Sequence, residues 1–271
     1  VVKKLRVTRK RRHWQRVVCC FALTPLAAAP VAEDMPDARE FMAAVIDESR
    51  GQTSYAELTM VVTRPDWTRT SKLVAWTKGR DKSLVRFTAP PREAGNAFLT
   101  LDDRIWTWSA RIGRRIRLPT SLMSQSWAGS DLSYSDLARS DDRLDHYRFE
   151  LSPADTSEID VALSSDQRIY RIDATPLDNA PVVWGKEALI VRADHVLLRQ
   201  VFFDQSMQPV KRIETMRVDE VGSRVFASDT LVEDLEEPGH TTRLVFDVIE
   251  FDIDISDEMF TTFELAKQFV R

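Results

Sequence analysis

The chain has 271 residues, 43% of them hydrophobic and 30% charged, with a formal net charge of −4, two cysteines and eight glycines. Without residues 1–32 it keeps 30 Lys+Arg against 42 Asp+Glu, a net charge of −12, and no cysteine. So acidic a remainder argues against a phosphate-binding, nucleic-acid surface, and the lack of thiols removes disulfides and thiolate metal sites.

Residues 1–32 have the layout of a secretory signal peptide. Lys3, Lys4, Arg6, Arg9, Lys10, Arg11, Arg12 and Arg16 precede an apolar stretch over 17–32 that Pro25 breaks, with no acidic residue before Glu33. The stretch is shorter than the roughly 20 residues a membrane-spanning helix needs, so cleavage between Ala27 and Ala32 and export are expected. Cys19 and Cys20 lie at the start of the apolar stretch rather than after it, which disfavours lipidation. With no repeat, low-complexity tract or Pro/Ser-rich linker beyond it, residues 33–271 read as one domain of sufficient size for an apolar core.

From 34 to 50 the pattern is helical. Pro36, Asp37 and Glu40 suit the first turn, Ala38, Phe41, Met42, Val45 and Ile46 make one apolar stripe, and Gly51 ends it. After Gly51 the period is two: Leu58, Met60 and Val62 alternate with polar neighbours, as do Tyr147, Phe149 and Leu151, then Ile159, Val161 and Leu163, and Leu244, Phe246 and Val248. Turn residues at Lys78-Gly79, Asp102-Asp103, 164–166 and Pro238-Gly239 separate the runs, which predicts an antiparallel meander of roughly ten to twelve strands. Residues 119–143 break the rhythm, with a short helix expected over 133–138 behind a capping serine and another over 263–270. Strands apolar on both faces, such as 198–203 and 245–251, suit a sheet curled over its own concave face with helices against it, a shape that encloses a pocket.

The segment Gly129-Ser130-Asp131-Leu132-Ser133-Tyr134-Ser135-Asp136-Leu137 resembles the hallmark loop of the outer-membrane lipoprotein-sorting (LolA-like) family, and the preceding Arg114-Arg115-Ile116-Arg117-Leu118-Pro119 is similar to the basic strand leading into it. Phe87-Thr88-Ala89-Pro90, Trp106-Thr107-Trp108, residues 197–212, Gly239-His240-Thr241-Thr242 and Phe260-Thr261 follow in the family's order, so the resemblance runs from about residue 35 onward. It implies a mainly β fold: a half-open, strongly curved antiparallel β-barrel of about 11 strands, with covering α-helices, that encloses an apolar cavity for acyl chains. The implied function is a periplasmic carrier of lipoprotein acyl chains or a free lipid between inner and outer membrane, served by an inner-membrane exporter and transient membrane contact, working as a monomer without a cofactor. A lipid or lipoprotein sensor of the same fold is the alternative.

Candidate lining residues for the hydrophobic cargo are Trp76, Phe87, Trp106, Trp108, Leu122, Met123, Trp127, Phe202 and Phe246, although aromatic residues at strand spacing also serve as ordinary core. Leu122, Met123 and Trp127 stand out because apolar residues in a long polar loop need covering, and residues 122–137 are the candidate lid. Gly129, Ser130, Asp131, Tyr134 and Asp136 are the family-signature loop. With His146 they contain the side chains of a hydrolase, but serine and aspartate beside glycine are what loops use to bond their own backbone, and no Gly-x-Ser-x-Gly elbow occurs. No catalytic residue is expected. His146, His195 and His240 lie far apart, and Asp252, Asp254 and Asp257 lack the glycine and closing glutamate of a calcium loop, so no metal is expected either. Arg114, Arg115 and Arg117, with Arg111, form a basic run in an acidic chain and are candidates for membrane or partner docking.

Overall fold

The computed structural model describes residues 35–102, 104–138, 142–159, 161, 163 and 167–267. The leader, the turn at 164–166 and residues 268–270 of the expected terminal helix lie outside them.

Helix α1 (Ala38–Arg50) starts on the Asp37 side chain, which accepts from the backbone N–H groups of Arg39 and Glu40, and ends at Gly51 with φ +66°. Its stripe of Phe41, Met42, Val45 and Ile46 is buried, worth about 1.5–3 kcal/mol per side chain in area removed from water.

Thirteen strands follow: β1 (Thr53–Arg64), β2 (Trp67–Lys78), β3 (Lys82–Ala89), β4 (Ala97–Leu101), β5 (Arg104–Ser109), β6 (Arg114–Arg117), β7 (Tyr147–Pro153), β8 (Ile169–Pro176), β9 (Lys186–Arg192), β10 (Leu197–Phe203), β11 (Pro209–Val221), β12 (Arg224–Asp234) and β13 (Thr241–Phe251). They form one antiparallel sheet in the order β6-β5-β4-β3-β2-β1-β13-β12-β11-β10-β9-β8-β7. The expected eleven strands are thus thirteen, and the sheet stays open, because β6 and β7 are its two edges and do not pair. These consecutive strands end up at opposite edges because the chain runs outward from β1 to β6 and then inward from β7 to β13, with β1 and β13 pairing in the middle. Residues 118–146, carrying α2 (Tyr134–Ala138) and α3 (Asp142–His146), join the two edges.

Opposed residues of an antiparallel pair project from the same face, so the register divides the sheet. One face carries Leu58, Met60 and Val62, Leu73, Phe87, Phe98, Leu244 and Phe246, Val232, Ile213, Phe202, Leu189 and Ile172. Helix α1 covers its β7–β9 end and residues 126–137 cover its middle; we call it the inner face. The opposite, outer face carries Val74, Trp76, Leu84, Ala97, Leu99, Trp106 and Trp108 and is covered by Ile255, Phe260 and Leu265. The described part of the expected terminal helix is a single 3₁₀ turn, Glu264–Ala266. Among the described residues, no helix is long and apolar enough to cross a membrane.

Candidate functional site

Residues 126–133 fold back on themselves. The Trp127 N–H donates to the Leu132 carbonyl at 2.7 Å, Ser126 and Ser133 form a single β-bridge, and Ala128 and Gly129 take positive φ at the bend. The result is a tongue that drives Trp127 and Leu132 into the inner face against Met60, Val62, Leu73, Phe87 and Val232. The Trp127 ring lies 5.6 Å from Phe87 and 5.4 Å from Phe98. Its indole N–H is buried with no hydrogen-bond partner among the described residues, an arrangement that costs about 1–3 kcal/mol. Behind the tongue, Ser133 and Asp136 cap α2 reciprocally: the Asp136 N–H donates to Ser133 Oγ at 3.2 Å and the Ser133 N–H to Asp136 Oδ2 at 2.7 Å. Tyr134 and Leu137 add their apolar surface to the same cluster.

Side chains anchor the tongue to the sheet. Among the described residues, no backbone–backbone hydrogen bond joins 119–137 to a strand. Instead Arg64, at the end of β1, pairs with Asp131 at 3.0 Å and donates to the Gly129 carbonyl, and Arg69 on β2 donates to the Ala128 carbonyl. Thr242 on β13 donates to Asp131 Oδ2 at 2.6 Å and accepts from the Asp131 N–H at 2.9 Å. Arg64 and Asp131 keep only 12% and 5% side-chain exposure. A second anchor is Lys211 on β11, which donates to Asp136 Oδ2 at 2.8 Å and lies 4.1 Å over the Phe202 ring and 4.9 Å over Trp184. Trp184 reaches that position because Gly185 packs against the Asp204 carbonyl, where an added Cβ would fall 2.2 Å from the oxygen.

Next to these anchors sits a buried polar group. Glu187 on β9 accepts from Gln200 Nε2 at 2.6 Å and pairs with Arg143 at 3.3 Å. Burial, reinforced by the nearby Glu187 charge, pushes the Tyr147 hydroxyl far above its ordinary range, so it stays a neutral donor. Burial likewise raises Tyr134.

The open space around the tongue is bordered by charged and apolar side chains alike. A pocket of about 270 Å³ is lined by Met123, Asp136, Arg143, Tyr147 and Glu187 among others, and an adjoining one of about 320 Å³ by Arg64, Asp131, Lys211, Glu237 and His240. Ser124 and Trp184 border both. A third, of about 550 Å³, lies beside Lys72, Val74, Arg86, Trp108 and Lys267. The tongue covers the middle of the apolar inner face.

The structure divides the nine lining candidates. Phe87, Trp127, Phe202 and Phe246 belong to the inner face, although Phe246 packs on Phe226 (5.8 Å) rather than on the tongue. Met123 is buried against Ile105, and Leu122 is half-buried in the 3₁₀ turn before it. Trp76, Trp106 and Trp108 face the opposite way, beneath the 253–265 segment, so the nine cannot line one space. Alternation locates residues on one side or the other of a strand, but only the register against neighbours says which side is inner. The loop residues Gly129, Ser130, Asp131, Tyr134 and Asp136 do come together, and their roles are bends, caps and anchors. Arg114, Arg115 and Arg117 stand exposed on edge strand β6. Sequence reasoning gave no site role to Arg64, Trp184, Glu187, Lys211 or Thr242, whose partners in the site lie far away along the chain. Among the described residues, no three potential metal ligands converge.

A DUF1329 family protein from Desulfovibrio piger superposes with a TM-score of 0.74 at 23% identity, covering 84% of this chain and 97% of its own. A domain described as an outer membrane lipoprotein-sorting protein from Vibrio parahaemolyticus gives 0.73 at 18% identity over 85% and 98%. A LolA superfamily protein from Nitrosomonas europaea gives 0.68 at 19% over 85% and 100%. These likenesses show the fold. No curated protein matches the sequence, but a family model described as "uncharacterized protein" matches residues 79–267, well over half of the chain. The chain therefore belongs to that family of uncharacterized proteins, and it has the LolA-like fold of outer-membrane lipoprotein-sorting domains.

Proposed function

We propose that the protein is a periplasmic carrier that shields lipoprotein acyl chains or a free lipid, delivered by an inner-membrane exporter, and that residues 1–32 are its cleaved export signal. The observation that carries this reading is the tongue: Trp127 and Leu132 occupy an apolar inner face yet are fixed to the sheet by side-chain anchors alone. Such a segment is a lid that stands in for the cargo. Lifting it exposes the Met60, Val62, Leu73 and Phe87 surface to an acyl chain, whose every buried methylene contributes about 0.8 kcal/mol. The unsatisfied indole N–H of Trp127 lowers the cost of lifting, because it regains a partner in water. The charged groups around the tongue, Arg64, Asp131, Lys211 and Asp136, re-solvate at the same moment, so opening exchanges ion pairs for hydration rather than breaking a sheet. The reading requires no covalent step.

Native mass spectrometry with lipid extraction, on protein purified from a periplasmic fraction, tests it. The expected result is about one lipid or acylated peptide per chain, and uptake of a fluorescent fatty-acyl probe that Asp131→Asn accelerates. A protein that is empty and takes up no probe, with Asp131→Asn equally inert, sinks the carrier.

A further inference from the structure

At the β6 edge of the sheet the chain gathers positive charge without neutralising it. Arg111, Arg114, Arg115 and Arg117 are all exposed, and among the described residues none pairs with a carboxylate. Arg115 spends one donor on the Thr262 carbonyl at 2.7 Å, which brings the 262–267 turn against the strand. That turn contributes Phe263, at 70% exposure the most exposed large hydrophobic side chain of the described residues, with Lys267 4.9 Å over its ring. Ile112 and Ile116, from the β5–β6 turn and from β6, are each more than half exposed.

Arginines alone on an edge strand would read as a guard against strand-to-strand pairing. A guard has no use for three protruding apolar side chains beside the arginines, where bare hydrocarbon meets water. Cations ringing exposed aliphatic and aromatic tips are instead what a water–bilayer boundary takes up: guanidinium groups pair with phosphates while Ile and Phe enter the acyl layer. The geometry points to the β6 edge, with the 262–267 turn, as a docking surface for an anionic phospholipid membrane. Charge complementarity selects that partner, since the chain carries more acidic than basic residues and concentrates four unneutralised arginines within seven positions. The inference goes beyond the carrier reading and does not need it, because the measurement uses no cargo.

The test is cosedimentation of the leaderless protein with vesicles of phosphatidylethanolamine and phosphatidylglycerol, against vesicles of phosphatidylcholine alone, at about 0.01 M and at about 1 M salt, where screening lengths are about 30 Å and about 3 Å. The protein is expected to pellet with the anionic vesicles only, and salt should release it. The variant Arg111→Gln/Arg114→Gln/Arg117→Gln keeps Arg115 on Thr262 and should partition roughly a hundredfold more weakly. Ile112→Ser/Phe263→Ser should lose roughly tenfold with its salt dependence intact. Wild-type protein that stays in the supernatant with every vesicle overturns the proposal, including the case in which an acidic protein is the true partner of the edge. Equal binding by the arginine variant, or equal binding to phosphatidylcholine, overturns it as well. All substituted side chains are exposed, so circular dichroism and the unfolding midpoint should be unchanged.

Discussion

Both faces of the β1–β5 part of the sheet carry an aromatic cluster, and irregular chain covers both, but the two covers are fixed differently. On the outer face, Phe260 and Leu265 sit over Val74, Trp76, Leu84 and Leu99; the ion pairs of the covering segment are exposed, Lys82 and Lys78 to Asp257, whose side chain is 67% exposed, while the buried Arg86 guanidinium donates to the Glu264 carbonyl at 2.9 Å and to the Leu265 carbonyl at 3.4 Å. On the inner face, Trp127 and Leu132 sit over Met60, Val62 and Phe87, and the tongue is tied by pairs almost removed from water. An exposed pair adds little, whereas removing one partner of a buried pair strands the other and costs several kcal/mol. The outer cover is held by packing and by two carbonyls on the buried Arg86 guanidinium, so its exposed ion pairs are dispensable. The inner cover is held by ion pairs that are desolvated, so its polar ties carry weight that the exposed ion pairs of the outer cover do not.

The largest expected effects come from the two covering rings themselves. Trp127→Ala and Phe260→Ala should each lower the unfolding free energy by about 3–4 kcal/mol, measured by urea denaturation. The comparison lies in a second readout: Trp127→Ala should also take up a fluorescent acyl probe faster than the parent, while Phe260→Ala should not. Equal gains from both would mean that acyl chains enter under either cover and that the inner face has no special role.

Next in size is Asp131→Ala, expected to cost about 3 kcal/mol, because Arg64 then stays buried with only carbonyl partners and Thr242 loses its acceptor. Double-mutant analysis with Arg64→Met should recover part of that loss. Without recovery, the tongue's buried ion pair matters no more than the exposed ion pairs of the outer segment, and the contrast between the covers fails. Gly185→Ala should follow at about 2 kcal/mol, because the Asp204 carbonyl must move to admit the new methyl. It should also release Trp184 from the Lys211 ammonium, seen as a shift in tryptophan fluorescence.

How far the sequence foretold this contrast depends on how far apart the partners are. Helix α1 was legible because its stripe, cap and Gly51 lie within one short segment, and the strands because period two needs only adjacent residues. The loop 129–137 was legible from its resemblance. Its anchors were not: Asp131 meets Arg64 across 67 positions, Asp136 meets Lys211 across 75, and Thr242 lies 111 away from Asp131, so no local pattern marks them. Alternation also misled in one place: Ile159, Val161 and Leu163 alternate yet belong to no strand, whereas the edge strand β6, expected as a basic strand only from the resemblance, has four exposed residues and no apolar alternation. The tryptophans are a different case. Trp106 and Trp108 alternate as a core face should, but two opposite faces of this sheet are covered, and alternation alone is blind to which cover lies above.

The smallest effects belong to the exposed ties, and they carry a sign in pH. Hydrogen bonds from Lys82 and Lys78 hold the Asp257 carboxyl below its ordinary value, and the Arg80 guanidinium does the same for Asp47 on α1, with both contacts at 2.7 Å. A carboxyl whose folded-state pKa is depressed contributes stability that is complete above the unfolded value and is lost as pH falls through the folded one. Asp257→Asn should therefore leave the unfolding midpoint at neutral pH unchanged within error, particularly at high salt, where the exposed pair is screened. Asp47→Asn should flatten the acid limb of the stability curve below the ordinary aspartate range and leave the neutral limb nearly parallel to the parent's. Thermal melts from neutral pH down into that range check both. If Asp257→Asn instead destabilised the protein at neutral pH as strongly as Asp131→Ala does, the outer segment would be electrostatically latched too, and the two covers would have to be treated as two lids.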